Sequence, residues 1–215
     1  MRHVALFFIL MTFYLSACSN APSAVDSTQV DQLLADGKTA LEAQDTEQAI
    51  TLLEQARDLN SESATVLAEL GRAYLWQNQL SEALTTLEKA VELDSKNANA
   101  LMNLGAVYYQ MNQLGEAIKI FEQARQLSPN DADLLYNLGS AYAQQQQFDQ
   151  AISNYNSAVE LDSTLSEPYF GLGTVYMVKG EKAAAIEALN QFLTLSKNED
   201  LRQRAQQMLT QLQGQ

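Results

Sequence analysis

Residues 68–74 read AELGRAY, and related segments follow as MNLGAVY (102–108), YNLGSAY (136–142) and FGLGTVY (170–176). Successive segments are 34 residues apart, and in each a glycine is followed three residues later by a tyrosine. A fixed period of this length is typical of proteins in which one structural unit is stacked on copies of itself. The sequence therefore predicts a repeat array.

One repeat contains two apolar stripes with helical spacing. Leu, Leu, Gly and Tyr occupy the i, i+3, i+4 and i+7 positions of residues 101–108, and a second stripe runs through residues 117–127. The polar residues 110–113 separate the stripes. The second stripe ends at Ser-Pro-Asn-Asp (128–131), where proline cannot continue a helix and either the Asn or the Asp can cap the next one. Each unit is therefore predicted to be a helical hairpin.

The recurrent glycine needs a physical reason, because a glycine inside a helix costs about 1 kcal/mol relative to alanine. Gly71, Gly105, Gly139 and Gly173 all lie at the same phase of the repeat. We expect the second helix of each hairpin to approach the first closely at these points.

The repeated residues resemble the tetratricopeptide repeat family. The residues that carry the resemblance are Leu67, Leu70, Gly71, Tyr74, Ala83, Leu87, Ala90 and Leu93, with the corresponding positions 34 and 68 residues later. A fourth copy has Phe192 in place of an alanine, and a weaker first copy has Asp36 and Ala40 in place of leucine and tyrosine. The resemblance implies an all-α fold, a right-handed α–α superhelix of five helical hairpins with a C-terminal capping helix.

The predicted organisation covers the whole chain. The five repeats are placed at 30–63, 64–97, 98–131, 132–165 and 166–199. Residues 200–215 lack the glycine–tyrosine pair but carry one apolar stripe, which comprises Leu201, Ala205, Met208, Leu209 and Leu212. They are predicted to form the capping helix, which covers the end of the array and keeps it soluble.

The composition excludes several classes of function. The formal net charge of −13 argues against nucleic acid and against a folded surface that binds anionic lipid. The acidity is explained most simply by solubility. His3 and Cys18 are the only residues of their types, so a processed chain would lack Ser–His or Cys–His nucleophilic pairs and His/Cys metal sites. We expect no cofactor, no metal and no enzymatic activity, although catalysis by carboxylates stays formally open.

The N-terminus resembles a bacterial lipoprotein signal peptide. Residues 1–17 comprise Arg2, an apolar run and Leu-Ser-Ala, followed by Cys18. The resemblance implies a thioether-linked diacylglycerol on Cys18 and an amine acylated by a fatty acid such as palmitate. The alternative is an ordinary cleaved signal with a coincidental cysteine. Residues 18–29 are predicted to be the lipidated N-terminus and a flexible tether.

The residue after the cysteine predicts a location. Ser19 resembles the default for outer-membrane sorting of proteobacterial lipoproteins. For a Gram-negative source, this implies a protein that is lipid-anchored in the outer membrane and faces the periplasm.

Residues just off the packing stripes are predicted to line a concave groove, as they do in the family. The candidate groove residues are Lys38, Arg72, Trp76, Met102, Asn103, Tyr109, Tyr136, Asn137, Phe170 and Met177. The aromatic residues and methionines suggest a protein or peptide ligand. The alternative is that some of these rings pack against neighbouring repeats. Lys38 and Arg72 alone do not make the ring of cations with which some family members bind a terminal carboxylate.

The sequence thus predicts a membrane-tethered, periplasm-facing adaptor for a protein or peptide partner. In architecture it resembles the repeat lipoproteins that assist assembly of envelope machines, such as pilus-secretin pilotins and cell-wall-enzyme scaffolds. Two alternatives stay open, which are a structural spacer and an enzyme subunit that uses carboxylates.

Overall fold

The computed structural model describes residues 27–214, which form eleven α-helices. The helices are α1 (Ser27–Glu42), α2 (Thr46–Leu59), α3 (Ala64–Trp76), α4 (Leu80–Leu93), α5 (Ala98–Gln110), α6 (Leu114–Leu127), α7 (Ala132–Gln144), α8 (Phe148–Leu161), α9 (Glu167–Lys179), α10 (Lys182–Leu195) and α11 (Glu199–Gln213). The first ten pair into five hairpins that stack as an all-α solenoid. The predicted signal peptide and Cys18 lie outside the described residues. The predicted tether is already helical from Ser27.

The recurrent glycines lie where the two helices of a hairpin meet, as the sequence predicts. A Cβ atom on Gly71 would lie 2.4 Å from Cγ of Leu87 in the second helix, and one on Gly105 would lie 2.5 Å from Cδ1 of Phe121. Real Cβ atoms essentially never approach another heavy atom so closely. The glycine is therefore required because a large side chain of the second helix packs directly on the backbone of the first.

The turn inside each hairpin uses one residue in the left-handed backbone region. These residues are again 34 positions apart, namely Gln44, Asn78, Asn112, Gln146 and Gly180. At the second turn, the N–H of Gln79 donates to the carbonyl of Tyr74 at 2.8 Å, which is the helix-ending pattern expected for such a residue. The same hydrogen bond recurs in the other four turns, so all five hairpins end their first helix in the same way.

The helix starts follow the expected capping chemistry. Asp131 is the N-cap of α7, and its carboxylate accepts a hydrogen bond from the Leu134 N–H at 3.0 Å. Ser63 and Asn97 cap α3 and α5 in the same way. Pro168 lies in the first turn of α9, where a missing N–H costs little.

Neighbouring hairpins are tied by the repeated tyrosine, whose hydroxyl donates to a glutamate 20 residues earlier. The ties are Tyr74–Glu54 at 2.7 Å, Tyr108–Glu88 at 2.9 Å and Tyr142–Glu122 at 3.0 Å. Burial, followed by the hydrogen bond to the glutamate, raises the pKa of Tyr74 and of Tyr108 to about 12. At the last junction the glutamate position is Asn156, and within residues 27–214 Tyr176 forms no such bond. Three of the four comparable junctions therefore share one polar contact.

The C-terminal helix α11 covers the end of the array. Ala205, Leu209 and Leu212 are buried against Leu189 and Phe192 of α10. The guanidinium of Arg202 donates to the carbonyls of Leu193 and Ser196 at the end of α10. A cation at a helix C-terminus is favourable because it meets the unpaired carbonyls there. The capping role predicted for this helix agrees with its packing.

Candidate functional site

The first helices of successive hairpins line the inner side of the stack. Helices α1, α3, α5, α7 and α9 each contact the next in this series, whereas within residues 27–214 the second helices closely contact only their neighbours in the chain. In a curved stack the elements on the concave side are the ones that approach each other. A ligand in the concave groove would therefore meet the odd-numbered helices from α1 to α9.

A cavity of about 390 Å³ opens on this side between α5, α7 and α9. Its wall brings together three of the predicted groove residues, Tyr109, Tyr136 and Phe170. The remaining lining residues are Ser140, Ala143, Gln144, Tyr155, Glu167, Gly171, Thr174 and Val175. Burial raises the pKa values of Tyr109 and Tyr136, so both phenols stay neutral at ordinary pH. The cavity thus combines ring faces with hydroxyl groups and one carboxylate.

Tyr155 creates the floor of the cavity and was not among the residues selected from the sequence. It takes the place in α8 that Leu87 holds in α4, and a Cβ on Gly139 would lie 2.7 Å from its ring. The ring also lies against α9, where a Cβ on Gly171 would be 2.5 Å from Cζ. Its hydroxyl reaches the concave side and donates to Ser140 Oγ at 3.2 Å.

The sequence contains a signal for the contact between Tyr155 and Gly171. The positions that correspond to Gly171 in the earlier repeats hold Glu69, Asn103 and Asn137. A glycine at 171 therefore departs from the pattern and coincides with tyrosine at 155, where the earlier hairpins hold Leu53, Leu87 and Phe121. The two changes compensate each other, because the Tyr155 ring lies only 2.5 Å from the point where a Cβ at 171 would stand.

Two of the predicted groove rings belong partly to the core. The Tyr136 ring lies 6.0 Å from that of Tyr155, and the Phe170 ring lies 5.1 Å from that of the fully buried Phe192. The Cζ atom of Arg204, on α11, is 5.6 Å from the centre of the Phe170 ring. Each ring thus packs on the core with one side and faces the cavity with another. Tyr136 and Phe170 therefore contact core rings and the cavity at the same time.

Trp76 is not part of this cavity. It is the last residue of α3 and is 51% exposed, and it lines a separate, open depression with residues from the α1–α2 turn and Gln110. The Cζ atom of Arg72 lies 5.2 Å from the centre of its ring, and Arg72 also pairs with Glu69 at 2.6 Å. The structure therefore separates Trp76 from the three other aromatic candidates.

The other candidates are dispersed. Met102 and Asn103 border a small cavity of about 120 Å³ together with Arg72. Lys38 is exposed on α1, and Asn137 is partly buried on α7. Met177 packs against the cluster formed by α10 and α11. Since Glu69 already neutralises Arg72, the two cations do not form a clamp for a carboxylate.

Metal-binding clusters and membrane spans are both absent from the described part of the chain. Among residues 27–214, no group of three or more His, Cys, Asp or Glu side chains is arranged to hold a metal ion. No helix in the same range is long and apolar enough to cross a membrane.

Three family models match the chain. Two are described as tetratricopeptide repeat and match residues 96–164 and 136–200, and a third, described as TPR repeat, matches residues 71–112. No curated protein matches the chain in sequence.

Solved structures match it in fold. The TPR protein TTC0263 of Thermus thermophilus is 22% identical, with 84% of this chain and 99% of that chain covered and a TM-score of 0.71. PilF of Pseudomonas aeruginosa is 23% identical over 86% of this chain and 91% of its own, with a TM-score of 0.70. YrrB, described as a TPR protein with an unusual peptide-binding site, is 21% identical over 86% and 100%, with a TM-score of 0.66. Together with the helical hairpins and their recurrent glycines, the matches show that the chain belongs to the tetratricopeptide repeat family.

Proposed function

We propose that the protein is a non-catalytic adaptor of the bacterial cell envelope, which is anchored by lipid at Cys18 and binds a protein or peptide partner on its concave side. The observation that carries the binding role is the cavity formed by Tyr109, Tyr136 and Phe170. Aromatic side chains that line a concave surface are the usual anchoring points of protein interfaces. The described peptide-binding site of YrrB supports the same role for a solenoid of this fold.

The cavity is suited to a segment of a partner rather than to a small molecule. It is open to solvent, and a smaller cavity bordered by Met102 and Asn103 lies between the first helices α3 and α5. An extended peptide that lies along α5, α7 and α9 would place one side chain in the larger cavity. Its backbone would meet polar side chains such as Asn103 and Asn137.

The envelope location rests on the sequence at the N-terminus. The string Leu-Ser-Ala-Cys that ends at Cys18 follows a short apolar run. One acyl chain binds a membrane only weakly, with a constant on the order of 10⁴ M⁻¹, whereas two or more chains give stable attachment. A diacylglycerol group with an acylated amine therefore supplies a lasting anchor.

The anchor is tested by cell fractionation. We expect the full chain to sediment with membranes and the Cys18→Ala variant to leave the membrane fraction. Full chain found in the soluble periplasmic fraction would show that Cys18 carries no lipid. Separation of inner from outer membranes then decides the final location.

The binding role is tested by photo-crosslinking in cells that express the full chain. We expect p-benzoylphenylalanine in place of Tyr109 to form a defined adduct with one partner protein. The control carries the same probe at Gln123, which is exposed on the second helix α6. No adduct from position 109, or the same adducts from both positions, would contradict binding in the concave groove and favour a structural spacer.

A further inference from the structure

We propose that the cavity between α5, α7 and α9 binds the side chain of an arginine in a basic, extended segment of the partner protein. This inference rests on the proposed function, since it names the chemistry of the partner at the same site. Three features carry it, which are the ring faces in the wall, the carboxylate at the rim and the way this molecule already holds two of its own arginines.

The wall of the cavity contains four aromatic rings. Tyr109, Tyr136 and Phe170 come from three successive first helices, and Tyr155 closes the floor. The face of an aromatic ring carries partial negative charge and attracts a cation within about 6 Å of its centre. A planar guanidinium can stack on such a face while its N–H groups stay directed at acceptors.

The side chains that line the cavity carry charge of one sign, and Arg204 of α11, which contacts the Phe170 ring, is not one of them. Glu167 is the only charged residue that lines the cavity within the described part of the chain. Asp133 lies nearby on α7, and burial together with the charges of Asp131, Glu167 and Asp162 raises its pKa. A bound cation would be attracted by Glu167 and by the acidic residues near Asp133, and the net charge of −13 attracts a basic segment over a longer range.

The molecule uses the same recognition chemistry internally. Arg72 stacks on Trp76 with its Cζ atom 5.2 Å from the ring centre, while its Nη2 pairs with Glu69 at 2.6 Å. Arg204 contacts one of the lining rings, with its Cζ atom 5.6 Å from the Phe170 ring centre. A ring combined with a carboxylate thus already binds one guanidinium in this fold, and the cavity repeats that combination without an internal arginine among its lining residues.

The alternatives fit the cavity less well. An acidic side chain would meet Glu167 and the negative field of the chain. A purely apolar side chain would bury against the rings but would give the Glu167 carboxylate no positive partner. The hydroxyls of Ser140 and Thr174 do not favour either kind of ligand, because they already donate to the carbonyls of Tyr136 and Phe170. Arginine supplies both a planar apolar surface and five donors.

The experiment selects ligands for the full chain from a random-peptide phage library. Synthetic, fluorescein-labelled copies of the selected peptides are then titrated by fluorescence anisotropy. We expect the peptides whose binding is lost in Tyr109→Ala to share an arginine. Replacing that arginine by citrulline, which keeps the shape and removes the charge, should weaken binding about tenfold.

The carboxylate is tested by a matched pair of variants. Glu167→Gln should weaken binding of the arginine peptide several-fold and leave the citrulline peptide unchanged. Glu82→Gln makes the same change on the exposed outer surface of α4 and should alter neither. Raising the salt concentration should weaken the arginine peptide more than the citrulline form.

The outcomes separate this inference from the proposed function. Peptides that depend on Tyr109 but lack arginine, or whose citrulline forms bind equally well, would overturn the arginine assignment and leave the peptide-binding groove intact. If no selected peptide depends on Tyr109, the groove itself is misplaced and both proposals fail. Preference for lysine over arginine at the shared position would also overturn the assignment, because a stacked guanidinium would then not be the ligand.

Discussion

Two hairpins of this solenoid have the same backbone arrangement but present different side chains to a ligand. In the α3–α4 hairpin, Leu87 packs on Gly71 and ends inside the core. In the α7–α8 hairpin, Tyr155 packs on Gly139 in the same way, but its ring continues to Gly171 and its hydroxyl reaches Ser140 on the concave side.

The comparison shows how a repeat array acquires a local site without changing its fold. Tyrosine at position 155, in place of the leucine at position 87, carries a hydroxyl group from the core of the hairpin to Ser140 on the concave side. The exchange of Glu or Asn for glycine at position 171 makes room for it. The helices and the turns stay equivalent, because the packing on the recurrent glycine is preserved.

The largest effect is expected where Tyr155 is removed altogether. Tyr155→Ala empties a buried aromatic position that is in contact with both α7 and α9. Such truncations typically cost about 3–5 kcal/mol of unfolding free energy. Urea denaturation of the variant measures the loss, and a cost below about 1 kcal/mol would show that Tyr155 is not part of the core.

The pairing of positions 155 and 171 is tested by a double-mutant cycle. Gly171→Asn alone should cost about 1–3 kcal/mol, because its Cβ would lie 2.5 Å from the Tyr155 ring. Tyr155→Leu alone leaves a void beside Gly171 and should cost a comparable amount. The double variant has leucine at 155, as the α3–α4 hairpin has at Leu87. It has asparagine at 171, as α5 and α7 have at Asn103 and Asn137.

We expect the double variant to be more stable than the sum of the single costs predicts, with a coupling energy of about 0.5–3 kcal/mol. Urea denaturation of the four proteins gives this coupling energy directly. Additive costs would mean that the two positions do not compensate each other and that the comparison with the α3–α4 hairpin is wrong.

A smaller effect is expected at the tyrosine–glutamate ties. Tyr74→Phe removes the hydrogen bond to Glu54 and should cost about 1 kcal/mol of unfolding free energy, whereas Tyr176→Phe, at the junction with Asn156, should cost almost nothing.

The hydrogen bond between Tyr74 and Glu54 also predicts a pH dependence of stability. The folded protein raises the pKa of Tyr74 to about 12, above the ordinary value near 10, so this contribution is complete below about pH 10 and is lost as the pH rises through 12.

The pH dependence is measured by urea denaturation at about pH 8 and about pH 11, on either side of the ordinary tyrosine pKa. The wild type should lose more stability between the two than Tyr74→Phe does, and Tyr176→Phe should behave as the wild type. Equal losses of stability in the wild type and Tyr74→Phe would show that folding does not raise the pKa of Tyr74.

Most of the fold could be predicted from the sequence, because the signals are local and repeated. The glycine and tyrosine positions fix which helix faces pack, and Pro129 with Asp131 fixes where one hairpin ends and the next begins. The packing on Gly71 and Gly105 then follows from the need to bring two helices into contact.

The candidate site was harder to predict, because it depends on side chains that meet across repeats. Tyr109, Tyr136 and Phe170 could be selected from their phase on the first helices, and they do meet. Tyr155 could not be selected by phase alone, since its position is a core position in the other repeats. Met177 was selected as a groove residue, but in the structure it packs against the cluster formed by α10 and α11.

Adjacent tyrosines in α5 are central to the proposed function, since Tyr108 ties hairpins together while Tyr109 lines the partner cavity. The most direct test compares Tyr108→Ala with Tyr109→Ala in the full chain, by thermal melting and by the yield of the partner, once identified by the crosslink from position 109, that co-purifies from cells. We predict that Tyr108→Ala lowers the melting temperature more and leaves partner yield per folded protein unchanged, whereas Tyr109→Ala melts near the wild type and loses the partner. Retention of the partner by a folded Tyr109→Ala protein would contradict binding in this groove.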